Sequence, residues 1–308
     1  MAASAPPERR TGFSGIVIAQ FVALATLWGG SFMFIKIGLE GISVAQVVWA
    51  RVVFGATTLV MLSLVTRQRF PRDLAVWRKL VVVSIFLTVI PFSLFSWAEL
   101  HVSSGLASIM NATTPLMTLL VALIALPEER PTRTKLVGLA LGFIGVVTVL
   151  GPWRELNGQS SLMGQLACLG ATLCYGIGYV TLRRIIRDHD VPSLPLATMQ
   201  VGFGAIIMLL ATPFIASPMH LTARVVISMI VLGALSTGIA YVANTNIVHA
   251  VGATNASTVT YVTPLVGVVL GILVLHESFV WNQPVGAALV ITGIVVGQNR
   301  LRRNRSRI

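Results

Sequence analysis

The chain has 308 residues, 55% of them hydrophobic and only 10% charged, with a net charge of +12. Soluble domains carry about 25% charged residues, so a soluble fold is excluded: there is too little polar surface to cover so much apolar material. The positive balance does not mark a nucleic-acid binder, because the basic residues flank apolar runs and form no patch with interleaved aromatics.

Residues 1–15 are a polar tail containing Pro6, Pro7, Glu8, Arg9 and Arg10. The apolar run that follows from Ile16 is long and has no clear cleavage site, which reads as a first membrane helix and not as a signal peptide. Apolar runs then recur at 16–37, 44–66, 79–99, 104–126, 136–152, 162–182, 194–215, 223–246, 250–275 and 284–299. Most have about the 17–25 residues that cross a bilayer. They lack the period-2 alternation of barrel strands, so the prediction is an all-α membrane protein of ten transmembrane helices. Cys168 and Cys174 share one apolar run, so reduced thiols are expected.

An even number of spans puts both termini on one side. That side carries Arg9 and Arg10, five Lys/Arg in 67–79, three in 130–135, three in 183–187 and five in the basic tail 300–308, which makes 18. The other side carries three, Lys36, Arg154 and Arg224, and Arg51 lies inside a span. Positive charge collects on the cytoplasmic side, so both termini are expected there.

The halves resemble each other. Trp28-Gly29 matches Tyr175-Gly176 and Phe32 matches Tyr179 at an offset of 147; Phe54-Gly55-Ala56 matches Phe203-Gly204-Ala205 at 149. Thr114-Pro115 matches Thr263-Pro264 and Glu128 matches Glu277, also at 149, while Gly138 and Gly145 match Gly286 and Gly293 at 148. Near-constant offsets indicate a duplicated five-helix unit, 16–152 and 162–299. Five is odd, so the second unit enters from the opposite side. Two inverted five-helix repeats are the architecture that supports alternating access.

The pattern Trp28-Gly29-Gly30-Ser31-Phe32…Lys36 followed by Arg51, and the stretch from Ala107 through Pro115 to Glu128 with its repeat over 256–293, resemble the drug/metabolite transporter superfamily, EamA type. The resemblance covers roughly 16–299. It implies ten helices around a central cavity and export of small metabolites across the bacterial inner membrane. Within the family the chain is most similar to exporters of aromatic and other neutral amino acids.

A solute pathway needs polar and aromatic groups that face the bundle interior, since polar groups facing lipid are costly. Residues of that kind within the spans are Trp28, Ser31, Ser93, Ser96, Trp97, Asn111, Thr113, Thr114, Tyr175, Tyr179, Tyr241, Asn244, Asn246, Thr260 and Tyr261. Some have a plainer reading: Trp97 and Tyr241 suit the membrane interface, and the amides suit helix–helix packing. Pro115 and Pro264 break spans at matching positions and read as bends or as walls of a substrate site. Arg51 reads as either a structural ion pair or a gate, with Glu99 or the Glu128 region as possible partners. Lys36, Glu99, His101 and His276 lie near span ends, where snorkelling suffices; Lys36, Glu128 and Glu277 are further candidates for a gating or structural role. No Asp or Glu lies clearly at mid-span, which favours facilitated export over proton antiport. Gly138–Gly142 and Gly267–Gly271 have small-xxx-small spacing for tight packing.

The expectation is a secondary transporter, not an enzyme, that exports neutral and aromatic amino acids as a monomer. No phosphate loop, metal motif or nucleophile–base pair is present in the sequence, so no cofactor, ATPase subunit or nucleic-acid partner is expected; the partners are a small solute and the bilayer. A multidrug or cation exporter is the alternative, and it would want buried carboxylates. A polytopic membrane enzyme is a further one, and it would want acid or histidine clusters.

Overall fold

A computed structural model describes residues 15–126, 131–151, 161–188, 191–215, 217–251, 259–278 and 280–297. The regular elements among these are all helical. In the first half, α1 covers Gly15–Gly38, α2 Val44–Val65, α3 Leu74–Ala98, α4 Ser104–Ala125 and α5 Arg133–Leu150. In the second, α6 covers Leu162–Asp188 and α7 Ser193–Ile215; α8 runs through Ala223–Ile230, Val231–Ile239 and Ala240–Val251; α9 covers Val259–Leu275 and α10 Asn282–Gly297. Helices α1 to α8 are long and apolar enough to cross a membrane, whereas α9 and α10, with 17 and 16 residues, are apolar but shorter.

The helices overrun the apolar runs where the flanks are basic. α3 starts at Leu74 and takes in Arg78 and Lys79, and α6 continues past 182 through Arg183, Arg184 and Arg187. Lys and Arg are good helix formers and carry their charge outward on a long stem, so hydropathy stops before the backbone does. Residues 250–251 belong to the end of α8 and not to the ninth helix, which begins at Val259. The starts of several helices are set by side-chain caps. Ser43 and Gln46 form a capping box at α2, with Gln46 N donating to Ser43 Oγ (3.4 Å) and Ser43 N to Gln46 Oε1 (2.9 Å). Asp73, Ser103, Thr132 and Thr222 cap α3, α4, α5 and α8.

Two spans contain π turns and one is broken outright. α3 has a π turn at Ile85–Val89, just before Pro91, and α8 has one at Val231–Ile239. Such turns leave carbonyls short of a partner. In α8 the Thr237 hydroxyl donates to Leu232 O (3.0 Å) and fills that gap. α4 breaks between Asn111 and Thr114, because Pro115 has no N–H for the Asn111 carbonyl. Thr114 Oγ1 donates to that carbonyl instead (2.8 Å).

Inside a bilayer no hydrophobic force draws helices together, so close backbone approach carries much of the packing. α1 packs on α8 and α9; α6 packs on α3 and α4; α2 packs on α8 and α7 on α3; α2 also meets α7, and α5 meets α10. Exchanging each helix with its counterpart five helices away maps this set onto itself. Glycines mark the crossings. A Cβ at Gly29 would stand 2.7 Å from Thr263 O, and one at Gly176 would stand 2.9 Å from Met117 O. Gly55 would meet Thr237 Cγ2 at 2.9 Å, and Gly204 would meet Thr88 Cγ2 at 2.9 Å. At the α5–α10 seam backbone meets backbone: a Cβ at Gly145 would lie 2.6 Å from Val290 N, and one at Gly293 would lie 2.5 Å from Gly142 N. The Gly138–Gly142 spacing therefore serves this seam, and Gly267 and Gly271 serve the approach of α9 to Ser108 and Ser104 of α4.

Candidate functional site

One cavity lies where α1, α2, α3, α4, α6, α8 and α9 converge. Its volume of 120 Å³ is about ten times the space that admits a single water. The glycine crossings explain which aromatics face it. Successive helix residues point about 100° apart, so where Gly29 and Gly176 sit against α9 and α4, the preceding Trp28 and Tyr175 turn into the cavity. Ser31, Phe32, Phe92, Phe95 and Tyr179 extend this wall. The rings touch in series: Phe32 and Phe95 meet edge to face at 5.5 Å, Phe95 and Tyr175 lie 6.1 Å apart, and Tyr175 and Tyr179 6.3 Å apart.

Polar groups come from the broken segments. Asn111 and Thr114 line the cavity at the α4 break, Ser236 and Thr237 in the α8 π turn, and Thr260 and Thr263 just before Pro264 of α9. Tyr241 lines it one turn beyond Thr237, and its hydroxyl accepts from Gln200 Nε2 of α7 (3.1 Å). Arg51 of α2 also lines the cavity. Its Nε donates to Thr237 Oγ1 (3.2 Å), and its guanidinium carbon lies 3.7 Å from the centroid of the Phe92 ring. Among the described residues no carboxylate lies within ion-pair distance of Arg51. Of the two possible partners, Glu99 makes no ion pair with Arg51, and Glu128 lies outside the described residues.

Other sequence candidates fall elsewhere. Ser96 is buried on α3 outside the cavity lining. Trp97 stacks on His101, with ring centroids 4.2 Å apart, at the end of α3. Asn244 is half-buried, while Asn246 is exposed on another face of α8, five residues beyond Tyr241. Tyr261 packs with Leu116, Val146, Val290 and Ile294, so its neighbour Thr260 faces the cavity in its place. Pro115 and Pro264 bend the chain beside the cavity and do not line it. Sequence reasoning missed Phe92, Phe95, Ser236 and Thr237; nearby Pro91 and the Gly233–Gly238 pair are the only signals that α3 and α8 are distorted there.

Lys36 and Glu277 meet at the turn between α3 and α4. Lys36 Nζ donates to the carbonyls of Glu99 and Val102 at the end of α3, the latter at 3.0 Å. Glu277 receives Ser104 N (2.6 Å), Ser104 Oγ (3.0 Å) and Gly105 N (3.0 Å) at the start of α4. Each charge thus faces the helix end of opposite polarity. Glu99 is 0% exposed and both of its carboxylate oxygens lack a hydrogen-bond partner. It does not reach the surface by snorkelling; α6 approaches the same turn at Gly164, where a Cβ would meet His101 Cβ and Val102 Cγ1 at 2.9 Å. A second cavity of 360 Å³ opens here, lined by Lys36, Glu40, Glu99 and Glu277. Among the described residues no group of three His, Cys, Asp or Glu side chains is placed to hold a metal.

The EamA-like transporter family matches the chain twice, over residues 14–151 and 162–296. The chain belongs to the EamA-like transporter family. It is a multi-pass membrane protein of that family, with its cavity enclosed by helices from both matched segments. An uncharacterized transporter of Bacillus subtilis, YoaV, is 24% identical over 94% of this chain and 99% of its own length. PagO of Salmonella typhimurium is 23% identical over 90% of each chain. A protein of Streptantibioticus cattleyicolor described as a probable terminal-alkyne amino-acid exporter is 24% identical over 92% of this chain and 94% of its own. A solved crystal structure shares the fold, with a TM-score of 0.64 at 17% identity over 93% of this chain and 99% of the other.

Proposed function

We propose that this transporter is a bacterial inner-membrane exporter of small neutral amino acids, including aromatic ones, with both termini cytoplasmic. The observation that carries the reading is the single cavity in which Trp28 and Tyr175 stand together with Asn111, Thr114 and Tyr241. Aromatic walls bind apolar and aromatic side chains by offset stacking and contact, while neutral hydroxyls and amides hydrogen-bond a polar head without holding it tightly. The name of the amino-acid exporter among the relatives supports the substrate class. The two halves act as inverted repeats over 16–152 and 162–299; the self-mapping helix pairs and the paired glycine crossings at Gly29/Gly176 and Gly55/Gly204 support this. Exchange of the two halves' conformations then opens the cavity to alternate sides, with the protein acting as a monomer.

The test is flux of labelled amino acids in proteoliposomes containing the pure protein and no nucleotide. Flux of phenylalanine or tyrosine is expected. Trp28→Ala and Tyr175→Ala should reduce it by about two- to tenfold, the order of one aromatic contact, at wild-type melting temperature. Trp281→Ala, at an exposed ring, should leave it unchanged. Equal flux in all three variants would make Trp28 and Tyr175 packing residues and move the pathway elsewhere.

A further inference from the structure

We infer that Arg51 receives the carboxylate of the exported solute, so that the cavity takes organic monocarboxylates with an aromatic or apolar body and does not require an α-amino group. This rests on the transport reading and adds to it the charge of the substrate. A guanidinium has five N–H donors in a planar fork. In Arg51 only Nε is engaged, by Thr237, and no protein acceptor among the described residues takes a hydrogen bond from either Nη. A cation inside a membrane bundle is costly without an anion, and neither an ion pair nor an acidic side chain of the cavity lining supplies one. Among the described residues no carboxylate thus meets the guanidinium directly, and a solute carboxylate in the cavity can do so.

The guanidinium is also held ready. Phe92 lies against its face, and Thr237 is itself anchored by its bond to Leu232 O, so the fork is oriented before a ligand arrives. That geometry suits bidentate contact with a carboxylate. Gln200 occupies the matching place in the second half and bonds Tyr241, so the site has one cation and takes one carboxylate. The lining offers a substrate ammonium only neutral acceptors. An amine without a carboxylate is therefore rejected, which separates this site from that of a cation exporter.

The test uses the full chain in proteoliposomes, with labelled phenylalanine flux competed by 3-phenylpropanoate, phenethylamine or phenylalanine amide. The first keeps the carboxylate and lacks the amine; the other two lack the carboxylate. 3-Phenylpropanoate should compete at least about tenfold better than either amine, the lower bound for losing a charge-assisted hydrogen bond. Arg51→Lys should keep part of that preference, and Arg51→Gln should abolish it. If phenylalanine is transported but the amines compete as well as 3-phenylpropanoate, the assignment of Arg51 is overturned and the transport reading stands. If no labelled amino acid moves and no competitor shifts the melting temperature, the transport reading fails and takes Arg51 with it. The wild-type panel decides the question even if Arg51→Gln does not fold.

Discussion

Glu277 is the residue whose loss should cost the fold most for a single polar side chain. Its carboxylate takes the N–H groups of Ser104 and Gly105 and the Ser104 hydroxyl, while Ser103 Oγ takes the N–H of Leu106. The first-turn amides of α4 are thereby satisfied in succession. Ser104 is fully buried, so removing the carboxylate leaves its donors without water as a substitute. Hydrogen bonds to a charged group contribute about 1.5–3 kcal/mol each and are not additive; with the helix-end interaction, Glu277→Ala should destabilise by about 3–5 kcal/mol. Glu277→Gln keeps one acceptor oxygen and should lose about half as much. The exposed Arg224–Glu40 pair, 3.6 Å apart, is the internal comparison, and Glu40→Ala should cost under about 1 kcal/mol. Thermal unfolding in detergent, followed by tryptophan fluorescence, should rank the melting temperatures as Glu40→Ala, then Glu277→Gln, then Glu277→Ala. A Glu277→Ala protein that melts within about a degree of wild type would refute the reasoning.

Two further outcomes follow from packing and charge. Gly293→Val should lower thermal stability or abolish folding, since overpacking costs about 1–3 kcal/mol or more where backbone is the obstacle, while Thr292→Val on the exposed side of α10 should melt as wild type does. In a cysteine-free background, a cysteine at position 219 should react with an impermeant thiol reagent applied to intact cells, and one at position 304 should not; the reverse pattern would invert the proposed topology.

The spans were legible because apolar runs and basic flanks are one-dimensional signals. Gly29 and Gly176, which align in the sequence, each lie at a close helix approach. What hydropathy did not carry was rotation about the helix axis. These spans are apolar nearly all round, so no polar stripe marks an inward face; helical spacing puts Tyr241 and Asn244 on one face, yet only Tyr241 of the group Tyr241, Asn244, Asn246 and Tyr261 lines the cavity. The π turns add to this, because each shifts the angular phase of every residue beyond it, and Thr237 was overlooked within one of them. Ser96 and Trp97 lie beyond the α3 turn in the same way. The burial of Glu99 is likewise not legible along the chain, since α6 approaches its turn at Gly164, 65 residues away.

The α5–α10 seam has a consequence for biosynthesis. α5 ends the first half of the chain, and α10 is the last described helix. During N-to-C synthesis, the glycine face of α5 stays without its partner until α6 to α9 have been made. Lipid tails fit that groove poorly, because their loose packing cannot match a backbone that approaches within contact distance. A growing chain therefore carries an adhesive strip of Gly138, Gly142 and Gly145 through most of its assembly. A polypeptide that stops before α10 would keep this strip, and the α5 of another truncated copy offers a surface of the same shape. Insertion of α10 thus covers the glycine face of α5 and withdraws it from the bilayer.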